Sequence, residues 1–196
     1  MPSLLEANDW VLATQNLGKV KEFGQLLEPL GIRIRPALDE LNVAETGSTF
    51  AANAQLKAQA YAQHYGVPAL ADDSGLMIEA LEGNPGIYSA RWALEAGGYP
   101  ALFQKLEGQL KDVPLPKAAF ICVLCLVVPG QSPQFFEGRL EGHLTFPPQG
   151  SHGFGYDPIF IPKGYDQTCA QLSADVKNAI SHRRQALDLL LQALKA

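Results

Sequence analysis

Residues 49–73, TFAANAQLKAQAYAQHYGVPALADD, place a helical pattern directly before an apolar strand pattern. Thr49 predicts the start of the helix, because its hydroxyl can accept a hydrogen bond from the first turn. Gly66 predicts its end, because glycine readily adopts the left-handed conformation of a helix C-terminus. The apolar run VPALA, residues 67–71, then predicts a strand that leads into a pair of aspartates. A helix followed by a short turn and a buried strand is typical of an α/β fold.

The rest of the chain also alternates strand and helix patterns. Further strands are predicted at 10–14, 32–36, 118–128 and 134–146, and further helices from about Lys19 to Leu30, over about 99–110 and from about Ser181 to Lys195. Residues 134–146 alternate apolar and polar positions, which predicts one or two antiparallel strands. Together with the strand at 118–128 they are predicted to form a hairpin. We therefore predict a mixed, twisted sheet flanked by helices.

Length and composition restrict the class of protein. The chain has 196 residues, of which 47% are hydrophobic and 18% charged, which suits one compact domain spanning residues 1–196. The net charge of -5 and the absence of a basic run disfavour nucleic acid as a partner. The sequence shows neither a signal-peptide pattern nor an apolar run of about 18 residues, so we expect a cytoplasmic protein without a membrane partner.

The three cysteines predict neither a disulfide framework nor a metal site. Cys122 and Cys125 form a C-x-x-C pattern, but they lie in the run AAFICVLCLVV, which predicts a buried strand. Side chains three positions apart on a strand point to opposite faces, so these two thiols would not converge. We therefore expect them to pack in the core.

The segment ADDSGL, residues 71–76, places Asp72 beside Asp73 at the end of an apolar run. One interpretation is a polar turn built from the Asp-Ser-Gly step. The other is a cation site, in which strand geometry would send the two carboxylates to opposite faces and only one would enter the site. Mg²⁺ is typically held by one or two carboxylates together with substrate phosphates and water, so one aspartate and Glu45 would suffice.

Two earlier segments are ambiguous on their own. LATQNLGK, residues 12–19, is a strand end, a polar turn and a helix start, which suits an anion but also suits a simple capping turn. It lacks the spacing of a P-loop. Asn53 and Lys57 lie four positions apart, hence on one face of the predicted helix, and taken alone they are typical of a solvated face.

The start of the last predicted helix carries charges of the unfavourable sign. His182, Arg183 and Arg184 follow the predicted N-cap Ser181 and lie at the positive end of the helix dipole. Each such charge costs roughly 0.3–1 kcal/mol when exposed, and a bound anion or carbonyl group would offset it. The alternative is a tolerated surface cluster.

GFGYDP, residues 153–158, combines two glycines with two aromatic residues. The glycines permit close backbone approach, and Phe154 or Tyr156 could stack on a planar base. A rigid turn with Phe154 in the core fits the same residues.

Taken together and in order, these segments resemble one family. The elements are T-x-N-x-x-K at 14–19, Glu45 before the helix with Asn53 and Lys57, ADDSGL, PGIYSAR at 85–91, SHGFGYDPIF at 151–160 and K-x-x-I-S-H-R at 177–183. Their order and spacing are similar to those of the non-canonical purine NTP pyrophosphatases, the inosine and xanthosine triphosphate pyrophosphatases of the Ham1 type. The resemblance extends over roughly residues 10–194.

The resemblance implies a homodimeric, Mg²⁺-dependent hydrolase that converts purine nucleoside triphosphates such as ITP, dITP and XTP to the monophosphate and pyrophosphate. It also implies two lobes with the active-site cleft between them. Asp73 would be the general base and a metal ligand, and Glu45 the second metal ligand. The residues implied to hold the triphosphate are Thr14, Gln15, Asn16, Leu17, Gly18, Lys19 and Lys177. Ser74 would contact the substrate. The residues implied to surround the base are Phe154, Gly155, Tyr156, Asp157, His182 and Arg183.

This chain departs from the family pattern in two places. Gln15 stands where many family members have glycine, and residues 92–108 differ from the sequence that usually follows Y-S-A-R in the family. One alternative is a Maf-type nucleotide pyrophosphatase, but the first turn ATQNLGK lacks that family's S-x-R-R-like pattern. Another is a nucleotide-binding module without catalysis, which would need neither Asp73 nor Glu45.

Overall fold

The computed structural model describes residues 9–14, 20, 23–24, 27–39 and 41–195. Their strands are β1 (Asp9–Leu12), β2 (Arg33–Pro36), β3 (Ala69–Ile78), β4 (Lys117–Val127), β5 (Gln134–Leu144) and β6 (Phe160–Pro162). Their helices are α1 (Phe50–Tyr65), α2 (Ser89–Glu95), α3 (Tyr99–Leu110), α4 (Ala174–Ile180) and α5 (His182–Lys195). None of the helices in this part of the chain is long and apolar enough to cross a membrane.

The strands form one mixed sheet, as the sequence predicts. Their order is β2-β1-β3-β4-β5-β6. Strand β1 pairs in parallel with both β2 and β3, whereas β5 and β6 pair antiparallel. The consecutive strands β4 and β5 are neighbours in the sheet, which agrees with the predicted hairpin. Residues 134–144 form one strand and not two.

Helix α1 has the predicted limits. The Thr49 hydroxyl accepts a hydrogen bond from the Ala52 N–H at 3.1 Å, and Gly66 ends the helix with a φ of 67°. Strand β3, however, continues through both aspartates to Ile78. The interpretation of Asp-Ser-Gly as a turn is therefore wrong. Gly75 is buried within the strand. A side chain at this position would collide with the Gly86 carbonyl and the Ser89 hydroxyl, so the position requires glycine.

The chain divides into two compact units. The first contains residues 1–73, 123–137 and 186–196, and the second contains residues 74–122 and 138–185. In the first unit, α1 buries an alanine-rich face, with Tyr61, against residues of β1, β3 and β4. In the second unit, Leu102, Leu106 and Phe160 are fully buried in a larger apolar core.

The cysteines pack as the sequence predicts. Cys122 and Cys125 are both buried on β4, and neither forms a disulfide bond. Burial raises the pKa of the Cys125 thiol to about 12, so this thiol stays protonated and unreactive at neutral pH. The pair is part of the core.

Helix α5 begins where the sequence places it. The Ser181 hydroxyl accepts a hydrogen bond from the Arg184 N–H at 3.1 Å, which confirms Ser181 as the N-cap. Buried positions of the helix include Leu187, Leu190 and Leu194, which recur at helical spacing. The short helices α2 and α4 were not anticipated, because segments of seven residues give too few helical repeats to recognise.

Candidate active site

The carboxylates of Asp73 and Glu45 meet at one ammonium group in the first unit. Lys57 Nζ donates to Glu45 Oε1 at 2.8 Å and lies 3.5 Å from Asp73 Oδ1. Asp73 is buried on β3, Lys57 projects from α1, and Glu45 is exposed in the loop before α1. The strand and the helix therefore hold two carboxylates around one positive charge.

Asn53 fixes the other oxygen of Asp73. Its Nδ2 donates to Asp73 Oδ2 at 3.3 Å, and its Oδ1 accepts from the Gly47 N–H at 2.8 Å. A side chain on Gly47 would lie 2.7 Å from that same Oδ1, so only glycine allows this approach. Asn53 is only 2% exposed, so its amide is an internal brace. The expectation that the face of α1 with Asn53 and Lys57 is solvated is therefore wrong.

Burial and charge act against each other in this group of residues. Burial raises the pKa of Asp73, the Lys57 ammonium lowers it, Glu45 raises it, and the net effect is a raised pKa. For Lys57, burial alone would lower the pKa, but the Glu45 hydrogen bond and the charges of Asp73, Glu45 and Asp72 reverse this effect. A carboxylate with a raised pKa is a stronger base than one in water, which suits a group that accepts a proton during reaction.

Replacing Asn53 with aspartate tests the brace. We expect Asn53→Asp to lower the free energy of unfolding by about 1–3 kcal/mol, because a donor is lost and a carboxylate then faces the Asp73 carboxylate. The measurement is urea unfolding in chelator, which removes free metal ions. Asn178→Asp, at an exposed position of α4, is the matched control and should change the value by less than about 0.5 kcal/mol. Equal losses in both variants would contradict the brace.

Asp72 and Ser74 flank Asp73 on β3. Asp72 is 8% exposed, as buried as Asp73, but successive strand residues point to opposite faces. Asn53 and Lys57 bond to Asp73, which makes Asp73 the aspartate that faces α1. Ser74 is half-buried.

In the second unit, the glycine-rich segment is folded around Asp157. This carboxylate is 3% exposed, accepts a hydrogen bond from the Phe154 N–H at 2.7 Å and forms an ion pair with Lys177. Gly153 has a φ of 75°, a conformation that glycine adopts without strain. The Lys177 ammonium also lies 4.8 Å from the centre of the Phe154 ring. Because Phe154 is 69% exposed, the interpretation that buries it in the core is wrong.

Tyr156 holds the same segment against the core. It is buried, its hydroxyl donates to the Ser89 carbonyl at 2.8 Å, and its ring lies edge-on to Tyr99 with the centroids 5.4 Å apart. Burial and the neighbouring Tyr99 raise the pKa of Tyr156, and the Ser89 hydrogen bond lowers it by less, so the pKa is raised overall. The Ser89 hydroxyl in turn accepts from the Leu76 N–H on β3 at 2.9 Å. Through Tyr156 and Ser89, the segment with Gly155 is thus linked to β3.

The first turn of α5 contains His182, Arg183 and Arg184, and all three are partly buried. The imidazole of His182 stacks on the ring of Phe120, with the centroids 5.0 Å apart and the planes 15° apart. The first turn contains no acidic residue. These side chains are therefore not a freely solvated surface cluster.

The chain is similar to known proteins of one family. A model of the Ham1 family matches residues 10–193. The chain belongs to the Ham1 family. The dITP/XTP pyrophosphatase of Oceanobacillus iheyensis is 45% identical over 186 residues, covering 92% of this chain and 94% of that protein. The dITP/XTP pyrophosphatase of Bacillus subtilis is 44% identical over 192 residues, covering 95% and 96%. The solved structure of a HAM1 protein from Coxiella burnetii has a TM-score of 0.87 at 41% identity, covering 95% and 98%.

Among the described residues, two groups of the predicted site residues are each in contact. Asp73 and Glu45 form one group in the first unit, and Phe154, Asp157 and Lys177 form another in the second. Gln15, Asn16, Leu17, Gly18 and Lys19 lie outside the described residues. Thr14, whose N–H donates to the Leu12 carbonyl at 2.7 Å, is the last described residue before them.

Sequence reasoning missed the supporting residues. Ser89 lies inside the quoted PGIYSAR segment, but nothing in its spacing signals that it would bond to both β3 and Tyr156. Phe120 lies in an apolar run, where a ring that stacks on His182 looks like any other core residue. Only tertiary contacts distinguish such residues.

Proposed function

We propose that this chain hydrolyses ITP, dITP and XTP to the nucleoside monophosphate and pyrophosphate, and so removes non-canonical purine nucleotides from the nucleotide pool. The observation that carries the proposal is the buried Asp73 carboxylate, held by Asn53 and Lys57 opposite Glu45. Membership in a family whose similar members are named dITP/XTP pyrophosphatases supports the choice of substrate.

Asp73 acts as the general base. Water attacks the α-phosphorus, the bond from that phosphorus to the pyrophosphate oxygen breaks, and the proton of the water passes to Asp73. Asn53 donates to one oxygen of Asp73 and Lys57 lies beside the other, so the carboxylate is oriented before substrate arrives. Preorganisation of this kind lowers the reorganisation needed during reaction.

Mg²⁺ fits the same group as the cofactor. No cluster of three or more metal-ligating side chains occurs in the part of the chain that the structure describes. Mg²⁺ at a nucleotide site needs only one or two carboxylates when substrate phosphates and water complete its shell. Asp73 and Glu45 would supply these carboxylates, and their shared contact with the Lys57 ammonium supports this assignment. Bound there, Mg²⁺ would neutralise negative charge on the triphosphate.

The second unit supplies the residues for the purine base. Phe154 presents an exposed ring, and Gly155, Tyr156 and Asp157 belong to the same supported segment. His182 and Arg183 at the start of α5 would donate to the base. Ser74 would contact the substrate, and the segment from Thr14 to Lys19 would hold the triphosphate together with Lys177. In the structure, the charge of Lys177 is directed to Asp157.

The proposal extends to the state of the protein in the cell. Both units belong to one catalytic domain, the enzyme is a homodimer, and it acts in the cytoplasm, where the nucleotide pool is. Sedimentation equilibrium tests the oligomeric state, and a mass of twice 21.2 kDa is the expected result. A mass of one chain at micromolar concentration would contradict the dimer.

Turnover of a nucleotide panel tests the function. ITP, dITP, XTP, ATP, GTP, CTP and UTP are compared with Mg²⁺ and with excess chelator. We expect rapid turnover of the first three only with Mg²⁺. A preference for pyrimidine nucleotides would favour a Maf-type activity, and binding of ITP without turnover would indicate a non-catalytic binding module. Either result would overturn the proposal.

A further inference from the structure

Three aromatic rings form a row in the second unit. The Phe160 and Phe120 centroids are 4.5 Å apart with the planes tilted by 47°, and the Phe120 and His182 centroids are 5.0 Å apart with the planes 15° apart. Phe160 is fully buried on β6, Phe120 is 8% exposed on β4, and His182 opens α5. The imidazole thus stacks on a ring that is itself in contact with a fully buried ring.

The row restricts the orientation of the imidazole. The nitrogens of histidine donate and accept in the plane of the ring, so their directions change when the ring rotates. A nearly parallel aromatic neighbour favours one plane, because stacked rings attract each other beyond their burial and a rotated imidazole would lose this contact. Phe120 cannot turn away, since it belongs to the core cluster that includes Phe160.

We propose that Phe120 is a positioning residue for base selection, because it fixes the plane in which His182 presents its nitrogens to the purine. This inference rests on the proposed function, in which His182 contacts the base. Phe120 itself touches neither the substrate nor the reacting atoms. Its effect is on discrimination between bases, and it leaves the phosphate chemistry at Asp73 unaltered.

Phe120→Leu removes the ring and keeps an apolar side chain. We expect kcat/KM for ITP to fall about threefold to tenfold, mostly through KM, because one aromatic pair is lost. The fall for ATP should be smaller, so the preference for ITP decreases. Phe120→Tyr keeps the ring and should retain the preference. Phe136→Leu, at a position of β5 that is 9% exposed, is the matched control for loss of a buried ring and should keep the wild-type ratio.

A spectroscopic measurement tests the stack without reference to activity. The ring protons of His182 in the wild-type protein should be shielded by Phe120 and should move downfield in Phe120→Leu but not in Phe136→Leu. Unchanged His182 resonances in Phe120→Leu would overturn the proposal, as would equal changes of the ITP-to-ATP ratio in Phe120→Leu and Phe136→Leu. Equal turnover of ITP and ATP by the wild type would instead refute the proposed function, and the resonances would still decide whether Phe120 positions His182.

Discussion

Asp73→Asn is expected to lower kcat for ITP by at least about 10²–10⁴-fold while the protein remains folded. Loss of a general base typically has an effect of this size, and the lost negative charge should add to it by weakening the hold on Mg²⁺. The amide keeps the shape of the carboxylate, so the contact with Lys57 is weakened without creating a cavity. The measurement is steady-state turnover at saturating ITP and Mg²⁺, with circular dichroism to verify folding.

Asp72→Asn is the matched control for this prediction. The two aspartates are adjacent on β3 and equally buried at 8% exposure, and Asp73 is the one that accepts the hydrogen bond from Asn53 Nδ2 at 3.3 Å. We expect Asp72→Asn to retain far more activity than Asp73→Asn. Full turnover by folded Asp73→Asn, or a larger loss in Asp72→Asn, would remove Asp73 from the role of base.

ITP is expected to be a better substrate than ATP by at least about 10–100-fold in kcat/KM. Inosine and xanthosine carry a 6-keto oxygen, which accepts hydrogen bonds, whereas adenosine carries a 6-amino group, which donates them. Arg183 can only donate, and His182 donates from both nitrogens when it is protonated. Against adenine these donors would face a donor, and each buried unpaired group costs roughly 1–3 kcal/mol.

Arg183→Ala should reduce this preference. Its loss should impair ITP more than ATP, because only ITP offers an acceptor to the guanidinium. Arg139→Ala, at a half-exposed arginine of β5, is the control and should leave the ratio unchanged. The measurement is kcat/KM for both nucleotides in each variant. An unaltered ITP-to-ATP ratio in Arg183→Ala would assign base selection to other residues.

Local sequence signals were sufficient for the main elements. Thr49 and Gly66 predict both ends of α1, and the structure has both caps. The apolar runs predict β1 to β5, and the hairpin pattern predicts the mixed sheet, whereas the three-residue strand β6 was not predicted. Strand β3 was predicted too short, because Asp72 and Asp73 weaken the apolar pattern, and pairing within the sheet overrides this local preference.

The candidate site was predictable only in part. Asp73 stands out in the sequence because a carboxylate at the end of an apolar run needs an explanation, and Lys57 and Asn53 lie on one helix face by their spacing. That this face turns toward Asp73 depends on how α1 packs, which the spacing does not specify. The pairing of Lys177 with Asp157 joins residues 20 positions apart, and the stack of His182 on Phe120 joins residues farther apart still. Such contacts depend on the tertiary fold.

The products formed from ITP test the central claim most directly. Purified protein is incubated with ITP and Mg²⁺, and the nucleotide and phosphate products are separated and quantified by ion-exchange chromatography. Cleavage at the α-phosphorus predicts IMP and pyrophosphate in equal amounts, with neither product formed by Asp73→Asn at a comparable rate. Formation of IDP and inorganic phosphate, or no cleavage of ITP by the folded wild-type protein, would contradict the account.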